Sequence, residues 1–179
     1  GDVCNLLFVG VDWERKGGQF AFETMLALLK RSVNTTLTVC GCTPPSQFRH
    51  KNLTIIPFLN KNVPQEKKMF ADLFLDSSFF ILPTRQEAYG IVFCEAGAYG
   101  VPSIATSTGG VTEIVHNGIN GYALTPSASA EEYADVIERI WKNTDEYKQL
   151  VLQTRQQFDE KYNWDAWGRK AGELIRGIL

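Results

Sequence analysis

The stretch "SFFILPTRQEAYGIVFCEAGAYGVPSIAT" (78–106) holds two short apolar runs on either side of a polar turn and a helical repeat. "SFFILP" (78–83) and "VPSIAT" (101–106) have the length and the aromatic or β-branched content of buried strands. Between them, "GIVFCEAGAY" (90–99) sets apolar residues at three- and four-residue spacing, which predicts a helix. Strand, helix, strand in this compass is a βαβ unit, and such a unit joins parallel strands.

The same alternation continues outward in both directions. "NLLFVG" (5–10), "TLTVCG" (36–41) and "LTIIPF" (53–58) predict strands, and "GQFAFETMLALLKR" (18–31) and "PQEKKMFADLFLDS" (64–77) predict helices. Downstream come a brief helix, "VTEIVHN" (111–117), and a tight "NGINGYAL" (117–124). The helices "SAEEYADVIERIWKN" (129–143), "TDEYKQLVLQTRQQFDEKY" (144–162) and "WDAWGRKAGELIRGIL" (164–179) close the chain. We therefore expect one α/β domain over 1–179, a doubly wound parallel sheet of five strands with a helical tail over about 144–179. Trp141, Trp164 and Trp167 in the last helices are expected in the core or as interdomain anchors.

With 179 residues, 44% of them hydrophobic and 21% charged, the chain can bury one good core. Its net charge of −2 and pI near 5.7 give no basic field, which argues against nucleic acid as a partner. No apolar run reaches the roughly 20 residues that span a bilayer, and a cytoplasmic location is expected. The start "GDVCN", without methionine, is expected of a segment cut from a longer chain. Cys4, Cys40, Cys42 and Cys94 lack zinc-knuckle or C-x-x-C spacing and are expected as buried thiols. His50 and His116 have no ligand-spaced neighbours, so no metal site is expected.

In an open parallel sheet the ligand sits beyond the carboxyl ends of the strands, where helix N-termini offer free N–H groups. "GVDWERKGG" (10–18) follows the first strand and carries Arg15 and Lys16, which would face a bound anion; two solvated loop charges is the plain alternative. This segment fits neither G-x-G-x-x-G nor G-x-x-x-x-G-K-[ST]. "EAYGIV" (87–92) is the better phosphate cradle, because Gly90 permits close approach and the amides of Tyr89, Gly90 and Ile91 stand at the positive end of a helix. Glu95 is the only charge in the apolar run 90–99 and needs a partner, since an unpaired buried carboxylate is costly. It lies one turn beyond Ile91, and helical side chains lean back toward the N-terminus, so a ribose diol at the cradle could satisfy it. Glu87 would then hold a second polyol across the phosphates, and two acids about a phosphate site describe a sugar nucleotide. A lysine or a backbone amide is the alternative partner for Glu95.

The segment "PTRQEAYGIVFCEAGAYGVPSIATSTGGVTEIVHNGINGYAL" (83–124) closely resembles the C-terminal half of the family 4 retaining glycosyltransferases, whose E-x7-E motif matches Glu87 and Glu95. "LLFVGVDWERKGG" (6–18) resembles the strand and basic loop that open that half. The resemblance implies a Rossmann-like domain, the donor-binding half of a two-domain GT-B architecture whose N-terminal acceptor domain is missing here. It implies that Gly10 belongs to the nucleotide-sugar site and that Lys16 meets the diphosphate, Glu87 the donor sugar, Ala88, Tyr89, Gly90 and Ile91 the phosphates and sugar through their amides, and Glu95 the ribose. "PFLNKN" (57–62), with Phe58, would lie beside the base. Many members carry arginine where this chain has Val11, and Arg15 would serve as the second cation. "STGG" (107–110) matches a glycine-rich turn near the donor sugar, and also suits a plain turn and helix cap. Catalysis would rest on Lys16, Arg15 and Glu87 without a metal or cofactor, on a UDP-, GDP- or ADP-sugar. Any membrane contact, at the inner face, would come through the missing domain.

Two other readings remain. A sugar-nucleotide epimerase of the same architecture would also bind a nucleotide sugar. A receiver-type domain needs an aspartate beside Asp12, another after "LTIIPF" and a lysine after "VPSIAT", and none of the three is present.

Overall fold

The computed structural model describes residues 2–177. Six strands, β1 (Cys4–Val9), β2 (Thr35–Cys40), β3 (Leu53–Ile56), β4 (Phe79–Leu82), β5 (Ser103–Thr106) and β6 (Gly121–Leu124), form one sheet in the order β3-β2-β1-β4-β5-β6. Every pairing is parallel. This is the doubly wound Rossmann-like order. The chain winds outward from β1 to β3, then returns past β1 to begin again at β4. Right-handed crossovers place the helices of the two halves on opposite faces, and the strand ends part between β1 and β4.

Three helices make these crossovers: α1 (Gly18–Lys30), α2 (Pro64–Leu75) and α3 (Ile91–Ala98). β4 and β5 are buried at all four positions, as central strands covered on both faces must be. Phe8, Leu37, Phe74, Phe79 and Phe80 are fully buried and fill the core with large side chains.

The remaining helices are α4 (Ala130–Lys142), α5 (Thr144–Glu160) and α6 (Trp164–Arg176). Ser129 and Glu132 form a capping box at the start of α4. Arg31, just past α1, donates to Glu131 at 2.5 Å and Asp135 at 2.6 Å, which ties α1 to α4. Arg155 of α5 donates to the Ala98 carbonyl at 2.5 Å, which ties α5 to the end of α3. Among the described residues no helix is long and apolar enough to cross a membrane.

The expected strands and helices appear within two residues of their predicted bounds, and the expected end at 179 lies outside the described residues. Two expectations are corrected. The sheet has a sixth strand, β6, inside the segment expected as a tight turn. The helix expected over 111–117 is a single 3-10 turn, Gly109–Glu113, too short to hold an α-helical ladder before Asn117 turns the chain into β6. Trp141 packs against the core as expected, while Trp164 and Trp167, 75% and 65% exposed, lie outside it, which is compatible with the interdomain anchors that were the other expectation. Cys4, Cys40 and Cys94 are buried, whereas Cys42 lies past the end of β2 and is half-buried.

Candidate functional site

The loop after β1 is set by its own aspartate. Asp12 Oδ1 accepts the Arg15 backbone N–H at 3.0 Å, and Asp12 Oδ2 accepts from Arg15 Nε at 3.2 Å. The first of these bonds holds the Asp12 carboxyl below the usual range, with the guanidinium adding to it. Arg15 O accepts from the Arg85 N–H at 2.9 Å, so this loop is joined to the loop after β4. Between them Gly17 sits at φ 75°, where a Cβ would fall 1.9 Å from the Pro83 carbonyl oxygen. Only glycine allows both that backbone and that approach.

The second loop is braced from within and from behind. The buried Thr84 donates its hydroxyl to Gln86 O at 2.9 Å, and the Gly110 N–H donates to Ala88 O at 3.1 Å. The "STGG" turn thus supports the backbone of 87–88. Gly90, at φ 81°, then turns the chain in the left-handed region into α3. Among the described residues the N–H groups of Ala88, Tyr89 and Gly90 donate to no protein acceptor. They stand at the positive end of α3, so the arrangement suits an anion.

Beyond the ends of β1 and β2, facing α3, lies a cavity of about 280 Å³. Gly10, Lys16, Phe58, Glu87, Gly90, Ile91 and Glu95 line it, together with Lys61 and Phe70. Lys16 and Glu87, 71 residues apart, form an ion pair in which the side chains keep only 14% and 11% of their exposure. Glu95 Oε1 accepts from Lys61 Nζ at 2.5 Å, and Lys61 also lies 4.5 Å from the centre of the Phe70 ring. Cys40 borders the cavity too, and burial raises its thiol, against the pull of Lys61, so it stays protonated at neutral pH.

Of the residues expected at the site, seven line this cavity and three do not. Arg15 pairs with Asp12, its Nη1 donates to Gln86 O at 3.4 Å, and it stands 40% exposed outside the cavity lining, where Lys61 is the second cation beside Lys16. Ala88 and Tyr89 lie outside the lining as well, Ala88 braced on Gly110 and Tyr89 53% exposed. Glu95 has a protein partner, which the reading of a ligand-satisfied carboxylate had left as the alternative. Lys61 was missed as a site residue, although "PFLNKN" had been placed beside the site. Among the described residues no three His, Cys, Asp or Glu side chains cluster as metal ligands would.

In the cavity lined by Gly90, then, stand two lysines, each paired with a glutamate. A ligand that brings an anion to Lys16 and the amides, and hydroxyls to the glutamates, can exchange with the Lys16–Glu87 pair without leaving any charge unpaired.

The family model described as "Glycosyl transferases group 1" matches residues 4–143. An uncharacterized glycosyltransferase of Methanocaldococcus jannaschii is 26% identical over 174 residues, 92% of this chain and 42% of that protein. A crystal structure of Anabaena HepE in complex with UDP-glucose superposes with a TM-score of 0.78 at 17% identity, over 98% of this chain and 49% of that one. The C-terminal domain of the group 1 protein LpcC from Francisella tularensis superposes with a TM-score of 0.73 at 20% identity, over 89% of this chain and 86% of that one. The chain thus spans less than half the length of the Methanocaldococcus relative.

Proposed function

The chain belongs to the group 1 glycosyltransferases, and from that membership we propose that it is the donor-binding domain of a retaining enzyme that transfers a sugar from a nucleoside-diphosphate sugar. The observation that carries this reading is the pair of lysine–glutamate bridges together with the free amides at the start of α3. In this reading Lys16 leaves Glu87 for the diphosphate and stabilises it as the anomeric bond breaks. The N-terminus of α3 assists with dipoles that are already oriented and cost no reorganisation. The reading requires no metal. Glu87, released, accepts from the hydroxyls of the donor sugar, while Glu95 accepts from the ribose and Phe58 lies beside the base.

The acceptor site falls to the rest of a longer polypeptide, an N-terminal domain facing this cavity. Support comes from the share of its relatives that the chain spans, and from the Francisella neighbour, a C-terminal domain crystallised by itself. Alone, the chain binds donor and transfers nothing, because its cleft stays open to water and positions no acceptor.

Calorimetric titration of the chain with UDP-, GDP- and ADP-sugars tests the reading. One nucleotide class is expected to bind with Kd between about 1 μM and 1 mM. A folded chain that binds none of them would sink the proposal. Glu95→Ala should melt within about 3 °C of wild type, since its ion pair is partly exposed. It should weaken the preferred donor roughly 10- to 100-fold through lost charged hydrogen bonds. Early melting with unchanged affinity would make Glu95 structural.

A further inference from the structure

The donor reading gives a task to only one member of the second ion pair. Lys61 comes from the loop between β3 and α2, and its side chain is 51% exposed. A half-exposed lysine ordinarily samples many rotamers, and its ion pairs contribute little. Here two contacts hold it over the cavity: Glu95 Oε1 at 2.5 Å and the Phe70 ring at 4.5 Å. Phe70 is 8% exposed and belongs to the core, so the lysine is held from a rigid base.

We propose that Lys61 is a positioning residue for donor recognition. By bonding Oε1 it fixes the Glu95 carboxylate, leaving Oε2 and the second lone pair of Oε1 to accept from the two adjacent hydroxyls of a ribose. A glutamate held in one rotamer before the ligand arrives loses less freedom on binding, and that saving appears as affinity for the diol. Lys16 stands apart from this device, because its partner is Glu87. The two lysines thus divide the ligand, Lys16 on the diphosphate directly and Lys61 on the ribose through Glu95. This assignment rests on the donor-site reading.

The test compares whichever of UDP, GDP and ADP binds tightest with its 2′,3′-dideoxy analogue, by titration calorimetry on the 179-residue chain. Wild type should prefer the ribonucleotide by about tenfold or more. Lys61→Met should cut that preference to about threefold or less, with the Kd for the dideoxy form unchanged within about twofold. Lys61→Arg, which can still donate to Oε1, should keep most of the preference. A merely structural lysine would not separate the two ligands. If Lys61→Met melts early, Lys61→Gln, which keeps a neutral donor, carries the same comparison. An equal loss for both ligands would place Lys61 on the diphosphate and overturn the assignment. Tighter binding, which would make Lys61 a competitor for Glu95, or an unchanged preference would overturn it too. Failure of wild type to bind any of the three nucleotides would remove the donor reading with it, whereas those other outcomes remove Lys61 alone.

Discussion

Lys16→Ala is expected to weaken a nucleoside diphosphate by about 100- to 1,000-fold while changing the affinity of the bare nucleoside by less than about threefold. Two effects add. The first is loss of a charge-assisted bond to the diphosphate, roughly 1.5–3 kcal/mol. The second comes from Glu87, which keeps only 11% of its side-chain exposure. Without Lys16 it becomes an unpaired carboxylate beside the incoming anion, and like charges in a water-poor site repel. The same orphaned charge should lower stability by about 1–3 kcal/mol, less than for a fully buried pair because both side chains keep some solvent contact. Lys16→Ala with Glu87→Gln separates the two effects: melting temperature should recover while diphosphate affinity stays low. Equal weakening of nucleoside and diphosphate would move Lys16 away from the phosphates.

Gly17→Ala is expected to be among the most damaging small substitutions at the site, at about 3–5 kcal/mol, or roughly 6–15 °C in melting temperature for a chain of this size. The backbone there is left-handed, which costs an L-residue about 1 kcal/mol or more. The added methyl would also lie 1.9 Å from the Pro83 carbonyl oxygen, a main-chain atom that no rotamer change can move aside. Relief requires the loops after β1 and β4 to part, which breaks the Arg85 N–H bond to Arg15 O. Lys16 and Glu87 sit on these two loops, so donor affinity should fall along with stability. Thermal unfolding and a donor titration on the same variant check both. A loss below about 1 kcal/mol would show that the loops tolerate separation.

Most of the fold was legible because its central strands are largely buried runs and its crossover helices carry their apolar residues at helical spacing. β6 escaped notice for a physical reason. "GYAL" is only four residues long, follows the turn-rich "NGIN", and is a strand by virtue of pairing with β5. At the site, Gly90 and the helix that follows it could be read directly, since a glycine at a strand-to-helix turn is a local signal. The ion pairs could not. Lys16 and Glu87 each looked like a ligand contact, and nothing local shows that residues 71 apart meet. Arg15 could have been placed better. An aspartate three residues before it invites the side-chain-to-backbone turn that Asp12 makes, and the same carboxylate then accepts from the guanidinium. Lys61 sits in a polar loop without periodicity, and its importance comes from Phe70 and Glu95, which belong to two different helices.

The Lys16–Glu87 bridge also decides which anions the site ignores. Inorganic phosphate or pyrophosphate could take Lys16, but neither would offer a replacement donor to Glu87, and that carboxylate would be left facing added negative charge. On the donor reading, a nucleotide sugar would supply hydroxyls to Glu87 as it arrives. In a solution crowded with small phosphates the resting protein would on that reading be its own competitor, yielding only to a molecule that carries both halves of the exchange.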